Sequence, residues 1–186
     1  ATVKPTPESY GPLMPISFYG ASKLAAEGLI CSFAHHFGIQ AWIYRFANVV
    51  GANLTHGAIY DFVHRLRREG QILKVLGNGS QKKSYLHVDD CIQGMWFGFN
   101  QAKERVNIFN LASRGVTEVR SIAEEVVRQM GGGARVEYGT QDRGWKGDVP
   151  FTWLAEEKLS SMGWSARFTS DEAVKRSVGE FLSEGH

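Results

Sequence analysis

The stretch Ser17-Phe18-Tyr19-Gly20-Ala21-Ser22-Lys23-Leu24-Ala25-Ala26-Glu27 guides the interpretation of the whole chain. Ser17 is a favourable N-cap, and the residues after it predict a helix that stops at Gly38. Tyr19 and Lys23 are four residues apart, so they share one face of this helix. A fixed cation favours the phenolate form of a tyrosine, which can then exchange a proton with a substrate hydroxyl. The spacing is compatible with a catalytic pair, although a bare Tyr-x-x-x-Lys is more often a surface contact.

The composition is that of a globular protein without a nucleic-acid or membrane signature. Of the 186 residues, 43% are hydrophobic and 22% are charged, and the net charge is only +2. The cations are dispersed and no apolar run reaches a transmembrane length, so we expect neither a nucleic-acid nor a membrane partner. Cys31 and Cys91 both lie in apolar helical contexts, which predicts reduced core thiols in a cytoplasmic protein. Without a C-x-x-C motif, no metal site is expected.

The order of patterns along the chain predicts alternating helices and parallel strands. The helix that ends at Gly38 is followed by a short apolar run, residues 39–46, which is typical of a buried parallel strand. We expect residues 47–57 to be a loop at the carboxyl end of this strand, where open α/β sheets bind ligands. Further strands are predicted at residues 72–76 and 83–88. The sequence of helix, glycine and strand indicates half of a βαβ crossover.

Two local features after residue 76 carry specific expectations. Gly77-Asn78-Gly79 is a turn sequence of the kind that joins hairpin strands. Asp89 or Asp90 is expected to cap the next helix. The apolar side chains of that helix, Ile92, Met95, Trp96 and Phe99, are expected to face the core.

The Tyr–Lys pair sits in a longer motif, Tyr-Gly-Ala-Ser-Lys-Leu-Ala-Ala-Glu. From about residue 5 onward, the sequence resembles the extended short-chain dehydrogenase/reductase superfamily, and more narrowly the nucleotide-sugar epimerases and dehydratases typified by UDP-glucose 4-epimerase. The resemblance implies an α/β fold, the C-terminal part of a Rossmann-type doubly wound parallel sheet plus a small α/β substrate-binding lobe. Residues 1–50 and 85–112 would belong to the NAD-binding domain, and residues 51–84 and 113–186 to the nucleotide-sugar lobe.

The phosphate-binding turn G-x-x-G-x-x-G of that superfamily does not occur in these 186 residues. We therefore expect the chain to be the C-terminal part of a longer enzyme and to be inactive by itself. The upstream half would supply the glycine-rich turn and the catalytic Ser or Thr.

The resemblance assigns roles to residues near the first two motifs. Tyr19 would be the acid/base and Lys23 the anchor of the cofactor ribose, and both would contact NAD. The segment Arg-Phe-Ala-Asn-Val-Val-Gly is similar to the family's Arg-x-x-Asn-x-x-Gly. It implies that Asn48 contacts the nucleotide-sugar and that the main chain at Ala47 and Val49 flanks the nicotinamide. An isolated Asn at this place would otherwise be interpreted as a turn residue.

Two further segments imply contacts with the nucleotide. Leu76 would lie along the base, and Lys83 stands where the family has an Arg that binds the diphosphate. A lysine keeps the charge but loses the bidentate fork. Residues 143–150 are similar to a family segment with a phosphate-binding Arg, so Arg143 or Lys146 would supply a second cation. A surface loop is an equally open interpretation of that segment.

The resemblance implies an NAD-dependent 4-epimerase of the UDP-glucose/UDP-galactose type. Hydride would leave and return at sugar C4, with Tyr19 as acid/base. Two alternatives stay open: a dehydratase or decarboxylase on the same scaffold, and a non-catalytic member that binds a nucleotide or a partner. The resemblance also implies a homodimer through helix 17–37, whose surplus of apolar residues fits a subunit contact.

Overall fold

The fold alternates helices with short, mostly parallel strands. The computed structural model describes residues 1–142 and 149–184, which contain six helices and nine strands. The helices are α1 Phe18–Phe37, α2 Ala58–Glu69, α3 Val88–Gln101, α4 Val119–Gln129, α5 Glu157–Ser161 and α6 Ser170–Ser183. The strands are β1 Ala41–Phe46, β2 Asn48–Val50, β3 Ile72–Val75, β4 Lys82–Lys83, β5 Tyr85–His87, β6 Val106–Leu111, β7 Thr117–Glu118, β8 Arg135–Tyr138 and β9 Phe151–Thr152.

The strands pair with partners that are distant in sequence. Three two-stranded sheets are parallel pairs, β1 with β6, β2 with β5 and β3 with β8. A fourth sheet has three strands in the order β7-β4-β9. Ala41 lies opposite Val106 at the start of the β1–β6 pair, and Phe46 lies opposite Leu111 at its end. Only β4 and β7 run antiparallel among the pairs of the described strands. This pairing confirms the predicted α/β class with parallel strands.

Helix α1 begins and ends where its local sequence predicts. The Ser17 hydroxyl accepts a hydrogen bond from the Gly20 N–H at 3.1 Å, which satisfies one of the free donors of the first turn. Gly38 ends the helix in the left-handed conformation with φ 69°. Ala34 is the buried residue of α1, and apolar side chains such as Leu29 and Phe33 are exposed. The helix therefore rests on the fold along a narrow strip.

Two hydrophobic clusters hold the helices on the strands. The first includes Phe62 of α2 and Phe181 of α6. The second includes Leu86 of β5, Phe109 of β6 and Leu159 of α5. The predicted division of the chain into a cofactor domain and a substrate lobe stays a prediction.

The predicted hairpin at Gly77-Asn78-Gly79 is wrong. Gly77 and Gly79 have the positive φ values of a tight turn, 74° and 78°. The strands on either side nevertheless enter different sheets, since β3 pairs with β8 and β4 pairs with β7 and β9. The reason is that the turn bonds to the segment after β8. The Asn78 N–H donates to the Gln141 carbonyl at 2.7 Å, and the Gly139 N–H donates to the Gly77 carbonyl at 2.8 Å.

The predicted loop 47–57 and the predicted strand 83–88 also need correction. Residues Asn48–Val50 of the loop form β2, which pairs with β5. The predicted strand is divided at Ser84, where the chain changes partner. The Ser84 N–H donates to the Thr152 carbonyl, whereas the Ser84 carbonyl accepts the Asn48 N–H. The short strands β4 and β5 therefore belong to separate sheets.

Neither aspartate caps helix α3. His87 is the N-cap, and its Nδ1 accepts a hydrogen bond from the Asp89 N–H at 3.3 Å. The Asp90 carboxylate is buried and accepts hydrogen bonds from Arg167 Nε at 2.8 Å and from the Phe168 N–H at 3.2 Å. Because the imidazole occupies the capping position, the carboxylate of Asp90 is used to join α3 to the segment before α6.

The apolar face of α3 points away from the core, contrary to expectation. Ile92, Met95, Trp96 and Phe99 are all exposed. The buried face carries small residues, and a Cβ atom at Gly94 would lie 2.5 Å from a methyl group of Leu111. The helix therefore packs through its glycines, which allow the close approach that its large apolar residues would prevent.

Both cysteines are free thiols that differ in burial. Cys31 is half-buried on α1, whereas Cys91 is a core residue. Burial raises the pKa of the Cys91 thiol to about 11.

Across the described parts of the chain, each helix is too short or too polar to cross a membrane.

Candidate functional site

Tyr19 and Lys23 lie together on the first two turns of α1. The Lys23 Nζ atom is 5.3 Å from the centre of the Tyr19 ring. The Tyr19 side chain is 72% exposed. The structure therefore places the ammonium group of Lys23 over the Tyr19 ring and leaves Tyr19 open to an approaching ligand.

An ion pair fixes the middle of α1 against the sheet. Arg45 of β1 donates to both carboxylate oxygens of Glu27, at 2.9 and 2.7 Å. A third donor of Arg45 bonds the Glu8 carbonyl at 3.0 Å. The hydrogen bond with Glu27 is the main cause that raises the pKa of Arg45 above its ordinary value. Arg45 therefore has a structural role, because it orients the helix that carries Tyr19.

Three of the predicted substrate contacts meet in one cavity. A cavity of ≈ 380 Å³ lies beside β2 and the end of β3, and Asn48, Leu76 and Lys83 all line it. These residues are far apart in sequence and come together because β2, β3 and β4 end or begin at the same place. The cavity is large enough for a small-molecule site.

Asn48 faces this cavity with part of its hydrogen-bonding capacity already used. Its Nδ2 donates to the Ser84 carbonyl at 3.1 Å, and its backbone N–H donates to the same carbonyl. One of the two amide N–H donors of Asn48 is therefore already used. A side-chain amide has a second N–H and an acceptor oxygen, so Asn48 can still bind a hydroxyl or a phosphate.

The N-terminus of α2 forms another part of the cavity wall. Gly57 is the N-cap and provides no side-chain cap, and Gly57, Ala58 and Ile59 line the cavity. The first N–H groups of a helix have no partner within the helix and favour an anion. Lys83 and Arg65 add two cationic side chains to the same lining. Asp61 in the first turn of α2 also lines the cavity, so two cations face one carboxylate there, and the balance of charge still allows a phosphate group to bind.

The residues predicted to contact the cofactor do not share one place. Lys23 lines a second cavity of ≈ 570 Å³, formed with Glu27, Arg45 and the proline-rich segment that precedes α1. Ala47 is buried, and its N–H donates to the Leu111 carbonyl at 2.9 Å. Val49 lines the first cavity.

Arg143 and Lys146, the two cationic residues predicted in segment 143–150, lie outside the described residues. Among residues 1–142 and 149–184, no group of three or more His, Cys, Asp or Glu side chains is placed to hold a metal ion.

Comparison with known proteins identifies the family of the chain. The family model of the NAD dependent epimerase/dehydratase family matches residues 2–112, which is more than half of the chain and includes Tyr19, Lys23 and Asn48. The chain belongs to this family. Its relatives place it among the nucleotide-sugar epimerases and dehydratases of the extended short-chain dehydrogenase/reductase superfamily, as the Tyr-x-x-x-Lys motif implied.

Solved structures and relatives cover the chain almost completely, but the chain covers only part of them. A crystal structure of a UDP-galactose 4-epimerase is 35% identical, with a TM-score of 0.87 over 100% of this chain and 60% of that one. A UDP-glucose 4-epimerase from Thermotoga maritima with UDP-glucose is 26% identical, with a TM-score of 0.83 over 99% of this chain and 59% of that one.

Two relatives known from sequence carry different activities in their names. A putative UDP-glucose 4-epimerase from Methanocaldococcus jannaschii is 28% identical over 90% of this chain and 54% of its own length. A trifunctional enzyme of Arabidopsis thaliana, whose first named activity is UDP-glucose 4,6-dehydratase, is 26% identical over 89% of this chain and 24% of its own length. The chain spans about half or less of these relatives.

The cofactor of the family is NAD, and the described residues fit one end of it. The exposed ammonium of Lys23 can donate hydrogen bonds to ribose hydroxyls. Tyr19 lies beside it, and Val49 follows the carboxyl end of β1, where ligands of parallel sheets bind. The pattern G-x-x-G-x-x-G does not occur in the 186 residues. Among the described residues, those that fit the cofactor are at its ribose and nicotinamide end.

The cavity contains two features to which the sequence analysis assigns no role. One is the uncapped start of α2, for which Gly57 directly before an amphipathic helix is the only sequence signal. The other is Gln81, which lines the cavity and is nearly fully buried. Residues 77–83 resemble the family pattern Gly-x-Gly-x-Gln-x-Arg, in which Gln81 occupies the Gln position, but the resemblance gives a role only to the last position, Lys83.

Proposed function

We propose that the protein carrying this chain is an NAD-dependent nucleotide-sugar 4-epimerase that interconverts UDP-glucose and UDP-galactose. The observation that carries this proposal is the meeting of Asn48, Leu76 and Lys83 with the N-terminus of α2 in one cavity. An amide, an apolar wall, a cation and free backbone N–H groups suit a sugar, a base and a diphosphate. The names of the relatives that are 35% and 26% identical support the 4-epimerase outcome.

The residues of this chain would divide the work as follows. NAD, when bound, supplies the hydride acceptor and donor. Tyr19 takes the proton from the substrate hydroxyl at C4 and gives it back from its exposed position, and Lys23 holds the ribose. Asn48 and Lys83 orient the nucleotide-sugar through hydroxyl and phosphate contacts. The main chain at Ala47 and Val49 flanks the nicotinamide, and Leu76 lies along the base.

We propose that the protein forms a homodimer through α1 and that it is cytoplasmic. Leu29, Ile30, Phe33 and Phe37 are exposed on this helix and would be covered by a second copy. Free Cys31 and Cys91 favour a compartment in which thiols stay reduced.

A second candidate is a nucleotide-sugar 4,6-dehydratase, and the relative from Arabidopsis thaliana favours it. The products distinguish the two candidates. UDP-glucose incubated with the intact protein and NAD should give UDP-galactose, detected by NMR of the sugar protons. A 4-keto-6-deoxy sugar would instead support the dehydratase, and an unchanged substrate would contradict both enzymes.

A further inference from the structure

We infer that Gln81 positions the nucleoside part of the ligand and that its side-chain amide accepts a hydrogen bond from a base N–H or a ribose hydroxyl. This inference rests on the proposed function, because it takes the ≈ 380 Å³ cavity as the nucleotide-sugar site. It assigns a role to a residue that the sequence motifs leave without one.

The side chain of Gln81 is buried and incompletely bonded. Only 2% of the residue is exposed. Its Oε1 atom is buried and has no hydrogen-bond partner among the described residues. Buried polar atoms of native proteins are nearly always paired, because an unpaired acceptor loses its water without replacement. Since Gln81 lines the cavity, a ligand there can supply the missing donor after a small rotation of the amide.

The main chain around Gln81 is held on both sides. The Gln81 carbonyl accepts the Val119 N–H at 3.0 Å, and the neighbouring Lys82 N–H donates to the Pro150 carbonyl at 2.8 Å. Gly79 accepts the Arg120 N–H at 2.9 Å. The segment therefore cannot turn outward to place the amide in water. Gln81 is fixed as part of the cavity wall.

The other polar groups of the lining explain why an acceptor is needed. Lys83 and Arg65 can only donate hydrogen bonds, so they can bind phosphate oxygens but cannot accept from a base N–H or from the O–H of a ribose hydroxyl. Asp61 could accept, but its negative charge would repel a diphosphate in the same cavity. The neutral oxygen of Gln81 accepts a hydrogen bond without this repulsion.

The test replaces Gln81 with methionine, which keeps the length of the side chain and removes the amide. Gln93→Met on the exposed surface of α3 is the matched control. In the intact protein, Q81M should weaken UDP binding about tenfold by calorimetry. The thermal midpoint of the ligand-free protein should be unchanged or higher, because an unpaired buried polar group has been removed. The control should change neither quantity.

Two further nucleotides locate the donor. CDP lacks the imide N–H of uracil, and 2′-deoxy-UDP lacks one ribose hydroxyl. If the imide is the donor, CDP should bind equally to wild type and Q81M; if the 2′-hydroxyl is the donor, 2′-deoxy-UDP should do so.

Two results would overturn the inference. They are a UDP dissociation constant within twofold of wild type in Q81M, and a midpoint lowered by several degrees without ligand. An equal loss of affinity for all three nucleotides would identify the ribose 3′-hydroxyl, which all three carry, as the donor. If the wild-type protein does not bind UDP, the proposed function fails first and the inference fails with it.

Discussion

Replacing Glu27 with glutamine should destabilise the attachment of α1, because it removes the charge that Arg45 binds. The two side chains are each 21% exposed and are joined by hydrogen bonds of 2.9 and 2.7 Å. Exposed pairs are worth up to about 1 kcal/mol, and hydrogen bonds to charged groups about 1.5–3 kcal/mol. E27Q keeps one acceptor oxygen, and Arg45 keeps its bond to the Glu8 carbonyl. We therefore expect a loss of about 1–2 kcal/mol in the free energy of unfolding.

Urea unfolding of the intact protein measures this loss, and a double-mutant cycle assigns it to the pair. E27Q, R45M and the double variant should show a coupling free energy of at least about 0.5 kcal/mol. Glu124→Gln is the matched control, because Glu124 is exposed on α4. Stability of E27Q within about 0.3 kcal/mol of wild type, or additive single effects, would refute the role given to this ion pair.

Three further predictions concern the cavity, the core thiol and the packing of α3. Lys83→Ala should weaken UDP binding about tenfold, and Lys83→Arg should restore it, as measured by calorimetry; equal affinity in all three proteins would contradict a phosphate contact. Burial raises the pKa of the Cys91 thiol to about 11, so iodoacetamide at pH 8 should label this thiol only after unfolding. The rate of labelling should increase as the pH approaches that value. Labelling at pH 8 at the rate of an exposed cysteine would contradict the burial of this thiol. Gly94→Ala should lower the free energy of unfolding by about 1–3 kcal/mol, because its Cβ atom would lie 2.5 Å from Leu111. The control Gly28→Ala meets nothing within 4 Å and should be neutral or stabilising. Equal effects of the two substitutions would contradict the packing of α3.

Local sequence signals predict where helices and strands lie better than they predict which strands pair. Helix α1 is capped by Ser17 and stopped by Gly38, as short-range rules predict. The hairpin at Gly77–Gly79 is wrong because the turn bonds to residues more than sixty positions away. Strand pairing of this kind depends on long-range contacts that no local pattern specifies.

The direction of α3 illustrates a second limit of sequence patterns. Its large apolar residues predict an inward face, yet Gly94 and Gly98 provide the surface that meets the sheet. Trp96 and Phe99 stack on each other outside, with ring centres 5.7 Å apart. Periodicity identifies a helix and its faces, but the space available at the sheet decides which face packs.

The candidate site shows the same division between local and long-range information. Motif spacing predicts Tyr19, Lys23, Asn48 and Lys83, and the structure brings Asn48 and Lys83 to one cavity. Sequence reasoning gave Gln81 no role, because its burial and the lack of a partner for its Oε1 atom are properties of the folded chain. The roles of all these residues stay predictions until substitutions test them.

The most direct test of the central claim compares Tyr19→Phe with Tyr60→Phe in the intact protein. Removing one phenolic oxygen at Tyr19 should reduce the interconversion of UDP-glucose and UDP-galactose by at least about 10²-fold, the lower range for a general acid/base. UDP affinity should not change, and Tyr60→Phe should keep the wild-type rate. Interconversion by Tyr19→Phe at the wild-type rate would contradict the assignment of proton transfer to this residue.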